Sequence, residues 1–263
     1  MKRAVVVAGL AVLLLAGCTD SGSGEAPAAK SSSAAHSSTR PTHASAPAQT
    51  PAPTSTSTPA STFDKSAQST TDPASLWVVV NKKHPLNPVD YAPTDLVYPD
   101  LPNANHQPLR KPAADALVAM AAAAKSEAGL SLAIDSAYRS YPTQVSVYNQ
   151  WVATKGQAVA DNLSARPGTS EHQTGLAVDI GASPSDCSLD VCFGTTAQGK
   201  WLAANAWRFG FLLRYPADKV AVTGYQYEPW HFRYIGVPLA TELHDEHVET
   251  LEEFFGISGG ESY

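Results

Sequence analysis

Apolar and polar positions switch period several times along the chain, and each switch marks an element. Leu176, Val178 and Ile180 alternate with Ala177 and Asp179. That two-residue period predicts a strand with its apolar side chains in the core and Asp179 on the opposite face. Runs at Leu76–Val80, Leu130–Ile134 and Phe209–Arg214 predict further strands, and a last one falls within Gln226–Ile235. Between them lie helical stretches. Pro112–Ala128 is Ala-rich, with proline in the first turn and Gly129 just past the end, the asymmetry expected of a helix. Ser140 is placed to cap a helix running through Gln144, Val147, Tyr148 and Trp151 to a stop at Gly156, and Ala158–Leu163 forms a shorter one. Thr196–Arg208 carries Trp201, Leu202 and Trp207 as an apolar stripe, so both tryptophans are read as core. Pro238–Phe255 reads as a single helix with Leu239, Leu243, Leu251 and Phe254 inward and Gly256 at its stop. The prolines between Asn81 and Leu96 mark a surface loop.

This patterning is confined to residues 75–258, enough chain for one sizeable core. The preceding part differs in kind. Residues 1–18 combine Lys2 and Arg3, an apolar run from Ala4 to Leu15, and small residues before Cys18. The run is too short for a confident membrane span and describes an export signal. Its Leu-Ala-Gly-Cys ending resembles a bacterial lipobox, which makes Cys18 the expected lipidation site and the membrane the expected anchor. Residues 19–74 are rich in Ser, Thr, Ala and Pro and nearly devoid of large apolar side chains. Such a segment cannot offset its chain entropy and is expected to be a disordered tether. His36 and His43 fall within it.

Composition excludes one class of partner. There are 18 Lys+Arg against 24 Asp+Glu, a formal net charge of -6, with no basic stripe and no recognition motif, so no nucleic acid is expected. Cys187 and Cys192 share one loop, and in an exported protein a disulfide is the natural reading. His84, His106, His244 and His247 lie in loop or helix-surface sequence and are read as surface residues.

The chemistry is concentrated elsewhere. His172 and Asp179 stand seven residues apart across Gly175, and Glu228-Pro-Trp-His231 follows later. Two imidazoles and one carboxylate, His172, Asp179 and His231, make a three-ligand set for Zn2+ with the fourth position open to water. Glu228 and His231 differ in strand parity, so Glu228 is expected in the turn that Pro229 introduces, with His231 on the strand proper. In that turn Glu228 is the best-placed carboxylate to accept and return a proton. Arg139, where a strand stops and a helix starts, is a candidate to stabilise an oxyanion or hold a substrate carbonyl.

Ser136-Ala-Tyr-Arg-Ser140 with Gln144, then Gly168-Thr-Ser-Glu-His-Gln-Thr-Gly-Leu-Ala-Val-Asp179, then Glu228-Pro-Trp-His-Phe-Arg-Tyr234 resemble the VanY-type zinc D-alanyl-D-alanine carboxypeptidases, and the match runs from Val80 to Gly236. The resemblance implies zinc on His172, Asp179 and His231, with Glu228 as base and acid. It further implies that Arg139, Gln144 and Ser170 contact the substrate's terminal residues while Tyr138 and Trp230 shape the pocket. The implied fold is α+β, a small antiparallel sheet flanked by helices, as in the Hedgehog zinc domain. Joined to the expected anchor and tether, the resemblance gives the expected function, a membrane-anchored carboxypeptidase that removes the terminal D-alanine from peptidoglycan stem peptides; a monomer is expected. Cleavage of an L,D or internal bond, or a catalytically silent wall-binding module, remain open alternatives.

Overall fold

The structure is a computed structural model that describes residues 63–263. The expectations for the export signal, for Cys18 and for most of the tether, including His36 and His43, lie outside the described residues. A short antiparallel pair, β1 (Leu96–Val97) and β2 (Leu109–Arg110), leads into α1 (Lys111–Ala128). Pro112 occupies the first turn of α1, and Gly129 ends it in the left-handed conformation at φ 70°. The helix buries Ala113, Leu117, Met120 and Ala124. β3 (Leu132–Ser136) follows, then α2 (Tyr141–Lys155), whose first turn is capped by Ser140 Oγ accepting from the Thr143 N–H, and α3 (Gln157–Leu163). β4 (Ala177–Ala182), α4 (Ala197–Asn205), β5 (Phe211–Leu213), α5 (Val220–Thr223), β6 (His231–Tyr234), α6 (Val237–Asp245) and α7 (Leu251–Phe255) complete the order.

Four strands form one antiparallel sheet in the order β3-β4-β6-β5. Leu132, Ile134, Val178, Ile180, Phe211 and Phe232 join Leu117, Met120 and Leu202 from the helices in the main core. The architecture is therefore the expected α+β one. β4 is buried on both faces: Val178 and Ile180 point into this core, while Asp179 points into the site described below. Cys187 and Cys192 are disulfide-bonded in the loop after β4. Among the described residues no helix is long and apolar enough to cross a membrane.

Three expectations are corrected. Leu76–Val80 is not a strand, although Trp77, Val78, Val79 and Val80 are buried and Leu76 is partly so. Two of its carbonyls are taken by a side chain, because Arg233 Nη2 donates to Leu76 O at 3.1 Å and to Val78 O at 2.9 Å. A guanidinium thus satisfies backbone groups that a neighbouring strand would otherwise have to pair. The helix expected over Pro238–Phe255 is two helices. His247 adopts φ 55°, and Thr250 starts α7 by accepting the Glu253 N–H on its hydroxyl. Both halves still bury the predicted leucines and Phe254. Finally, the folded body reaches beyond residues 75–258 at both ends. Phe63 stacks on Trp77 at 5.4 Å between ring centroids, Lys65 Nζ donates to Phe254 O at 2.8 Å, and the Gly260 N–H donates to Val222 O at 3.0 Å.

Candidate active site

The sheet register brings the first two chemical groups together. Asp179 on β4 lies directly opposite His231 on β6, so their side chains emerge side by side on one face. His172 arrives from a short 3-10 turn, Glu171–Thr174, that ends at Gly175 with φ 68°. A side chain at Gly175 would press on Arg110, Leu96 and Pro93 as well as straining the backbone, so glycine is needed there twice over. Asp179 Oδ2 is 3.2 Å from His172 Nε2, and Oδ1 is 2.9 Å from His231 Nδ1. The three residues are buried and offer one ligand atom each, all within 4.8 Å of one another.

The outward nitrogens of both rings are held. His172 Nδ1 faces Ala137 O at 2.7 Å, and a carbonyl can only accept, so this nitrogen carries the proton. His231 Nε2 faces Glu171 Oε2 at 3.4 Å, again an acceptor. In their neutral forms His172 Nε2 and His231 Nδ1 therefore turn bare lone pairs toward the Asp179 carboxylate. Three electron-rich donors converge, the arrangement a divalent zinc ion fits, with outer partners fixing each ring's tautomer. The two imidazoles respond differently to this setting. Burial opposes protonation of His231, yet its hydrogen bonds to Asp179 and Glu171 outweigh that penalty and push the imidazole up to about 9. Burial pulls His172 down. Asp179 is held below the usual carboxylate range because its two histidines overcome the cost of burying its charge.

Glu228 precedes the Pro229-Trp230 turn, and the His231 N–H closes that turn by donating to Glu228 O at 3.1 Å. The expected parity break is thus realised, and the carboxylate faces the site with Oε2 3.8 Å from His231 Nδ1. Enclosure raises Glu228 to about 7, against the pull of His231 and with the push of Asp179. Arg139 stands in the loop after β3, tied by its N–H to His172 O at 3.2 Å, and its Nε is buried without a partner. Gln144 on α2 is buried. Its Nε2 donates to Ala165 O at 2.6 Å and to Ser164 Oγ at 3.2 Å, while its Oε1 has no partner. Both unpaired atoms belong to residues lining a cleft of about 360 Å³ that also includes the three ligand residues, Ser170, Glu228 and Trp230. Tyr138 does not line it, and its backbone N–H donates to Pro108 O at 3.0 Å.

Sequence reasoning missed the support behind the site. Glu171 is fully buried, and its Oε1 accepts from Arg214 Nε at 2.8 Å and Arg233 Nη1 at 2.9 Å. Arg214 also grips Glu252 with two bonds of 2.8 and 2.7 Å, and Glu252 accepts from Asn81 Nδ2 at 3.0 Å. Tyr215 packs its ring 4.8 Å from that of His231. The available signals were Arg214 closing an apolar strand and Arg233 alternating between Phe232 and Tyr234.

Residues 106–237 match the family model described as VanY, D-alanyl-D-alanine carboxypeptidase. The chain belongs to this family. YodJ of Bacillus subtilis (strain 168), which carries a provisional carboxypeptidase name, is 44% identical over 193 residues, 72% of this chain and 70% of that protein. The structure of the LdcB LD-carboxypeptidase is 44% identical, covers 71% of this chain and 88% of that one, and superposes with a TM-score of 0.65. A VanY D,D-pentapeptidase variant solved with Zn(II) is 33% identical, covers 68% of this chain and 98% of that one, and gives a TM-score of 0.55.

Proposed function

We propose that this VanY-family protein is a zinc-dependent carboxypeptidase that removes the terminal D-alanine from peptidoglycan stem peptides. The observation that carries the reading is the convergence of His172, Asp179 and His231 with the Glu228 carboxylate 3.8 Å from His231 Nδ1. A bound zinc supplies Lewis-acid polarisation of the scissile carbonyl and lowers the pKa of water to about 7. The chain's own residues do the rest. Glu228, poised at about 7, takes the proton from the attacking water and returns it to the leaving amine. Arg139, with its unpaired Nε, directs hydrogen bonds to the substrate's terminal carboxylate or scissile carbonyl. Gln144 Oε1 accepts an N–H from the bound peptide, and Ser170 and Trp230 close the cleft around it. Glu228 also separates this reading from a silent zinc module, which has no use for a base beside the metal.

A second reading keeps the chemistry and moves the bond: the 44% identity to an LD-carboxypeptidase favours cleavage of a tetrapeptide as a real alternative. Incubation of the purified protein with stem pentapeptide, tetrapeptide and cross-linked muropeptides, followed by mass analysis, separates the two. Loss of one alanine from the pentapeptide alone supports the D,D reading. Loss from the tetrapeptide alone replaces it with the L,D one, and no loss from any substrate removes both. The sequence before residue 63 supports export, a lipid anchor on Cys18 and a tether that lets the enzyme search the nearby wall.

A further inference from the structure

We propose that residues 258–263 form a strap that sets the width of the substrate cleft, with Tyr263 as its positioning residue. The inference rests on the carboxypeptidase reading only for its kinetic consequence. Two walls of the cleft come from segments that share no sheet. One is the loop from Ser164 to Ser170, whose Ser164 Oγ and Ala165 O hold the Gln144 amide. The other runs from Tyr225 to Glu228, just after α5.

The strap touches both. Along the second wall its backbone lies directly against α5: the Gly260 N–H donates to Val222 O at 3.0 Å. The approach is so close that a Cβ on Gly259 would collide with the Val222 carbonyl, and one on Gly224 with the Gly260 carbonyl. Ser258 O is pinned from below by Asn81 Nδ2 at 3.3 Å. Tyr263 then crosses to the first wall. Its hydroxyl oxygen accepts the Arg166 N–H at 2.7 Å, lies 3.2 Å from Thr169 Oγ1, and stands 3.4 Å from Tyr225 Oη of the opposite wall. The Arg166 guanidinium sits over the Tyr263 ring at 4.2 Å from its centroid and is itself held by Asp161 at 2.9 and 2.8 Å. One side chain therefore joins the loop that carries Gln144's anchors and Ser170 to the segment that carries Glu228. The strap lies outside residues 106–237, the part matched by the family model.

A wall held in place before substrate arrives need not be ordered when it binds, so losing the strap weakens binding rather than chemistry. The test compares Tyr263→Phe, which keeps the ring under Arg166 but removes the acceptor of its N–H, with Tyr263→Ala, which removes both. Hydrogen exchange at the Arg166 amide is read beside kcat, KM and zinc content, with the amides of α1 as an internal control. A lost hydrogen bond predicts a roughly three- to tenfold rise in KM and in Arg166 exchange for Tyr263→Phe and a larger rise in both for Tyr263→Ala. Zinc content, kcat and α1 exchange should stay within about twofold, the scatter expected when the chemical step is untouched. Unchanged Arg166 exchange in Tyr263→Ala overturns the strap, as does a loss confined to kcat. If the unaltered protein releases alanine from no stem peptide, the functional reading fails. Arg166 exchange then still decides for or against the strap.

Discussion

Glu171 offers the sharpest energetic prediction, because it stands between the metal ligands and the rest of the fold. Next to His172 in sequence and against His231 in space, it is fully buried and is the shared acceptor of Arg214 and Arg233. Its charge survives there because the two arginines outweigh the cost of burial and hold the carboxyl well below its ordinary range. The buried group of Glu171, Glu252, Arg214 and Arg233 is electrically neutral, two negative against two positive. Glu171→Gln keeps the shape, leaves Arg214 paired with Glu252, and leaves the buried Arg233 guanidinium with carbonyl acceptors and no carboxylate. Breaking a buried pair in this way costs about 3–5 kcal/mol. For a folded body of this size each kcal/mol moves Tm by about 2–4 °C, so the metal-free variant should melt roughly 6–20 °C below the unaltered protein. Thermal unfolding followed by circular dichroism in the presence of chelator measures this without interference from zinc. Removing Arg233 together with Glu171, as Glu171→Gln with Arg233→Met, restores neutrality and should recover part of the loss. The reasoning is refuted if the single variant loses less than about 1 kcal/mol, or if the two substitutions simply add, since coupled charges are not additive.

Other predictions probe the chemistry, the pH response and the anchor. Glu228→Gln should retain zinc, measured by metal analysis, and lower kcat by roughly 100- to 10,000-fold, the range for a lost general acid-base; near-normal turnover would remove Glu228 from the mechanism. The depressed folded-state carboxyl of Glu171 contributes stability that is present above the unfolded value of about 4.3 and is lost as pH falls below it, because the unfolded chain takes up the proton first. The melting temperature of the metal-free protein should therefore drop below about pH 4, and the drop should be smaller in Glu171→Gln; equal drops would contradict the assignment. Cys18→Ala should shift the full-length protein from the membrane fraction to the soluble one, and persistence in the membrane would count against the lipid anchor.

Much of the site was legible because its chemistry is local in sequence. His172, Gly175 and Asp179 lie within one turn and the strand after it, and Pro229 announced the break that lets Glu228 and His231 share a face. The helix boundaries at Ser140 and Gly129 were likewise readable from single residues with one physical job each. What escaped was set by long-range pairing. Arg214 finds Glu171 and Glu252, which are 43 and 38 positions away, and no local period records such a partner. The same cause misdirected the reading of Leu76–Val80. Its apolar run signalled burial correctly, but a guanidinium, not a strand, pairs two of its carbonyls, those of Leu76 and Val78. Phe63 and Tyr263 were missed for a related reason: each is a lone aromatic in polar sequence, and its partners are supplied only by the folded body.

The central claim is that His172, Asp179 and His231 hold a zinc ion that stem-peptide hydrolysis requires. Release of free D-alanine from a stem pentapeptide should be followed for the purified protein, the same protein stripped with chelator, and the stripped protein given zinc back, with Asp179→Ala carried through each step. The account predicts release that disappears on stripping, returns with one equivalent of zinc, and never appears in Asp179→Ala. Release that survives complete removal of the metal, or that persists in Asp179→Ala, would contradict it.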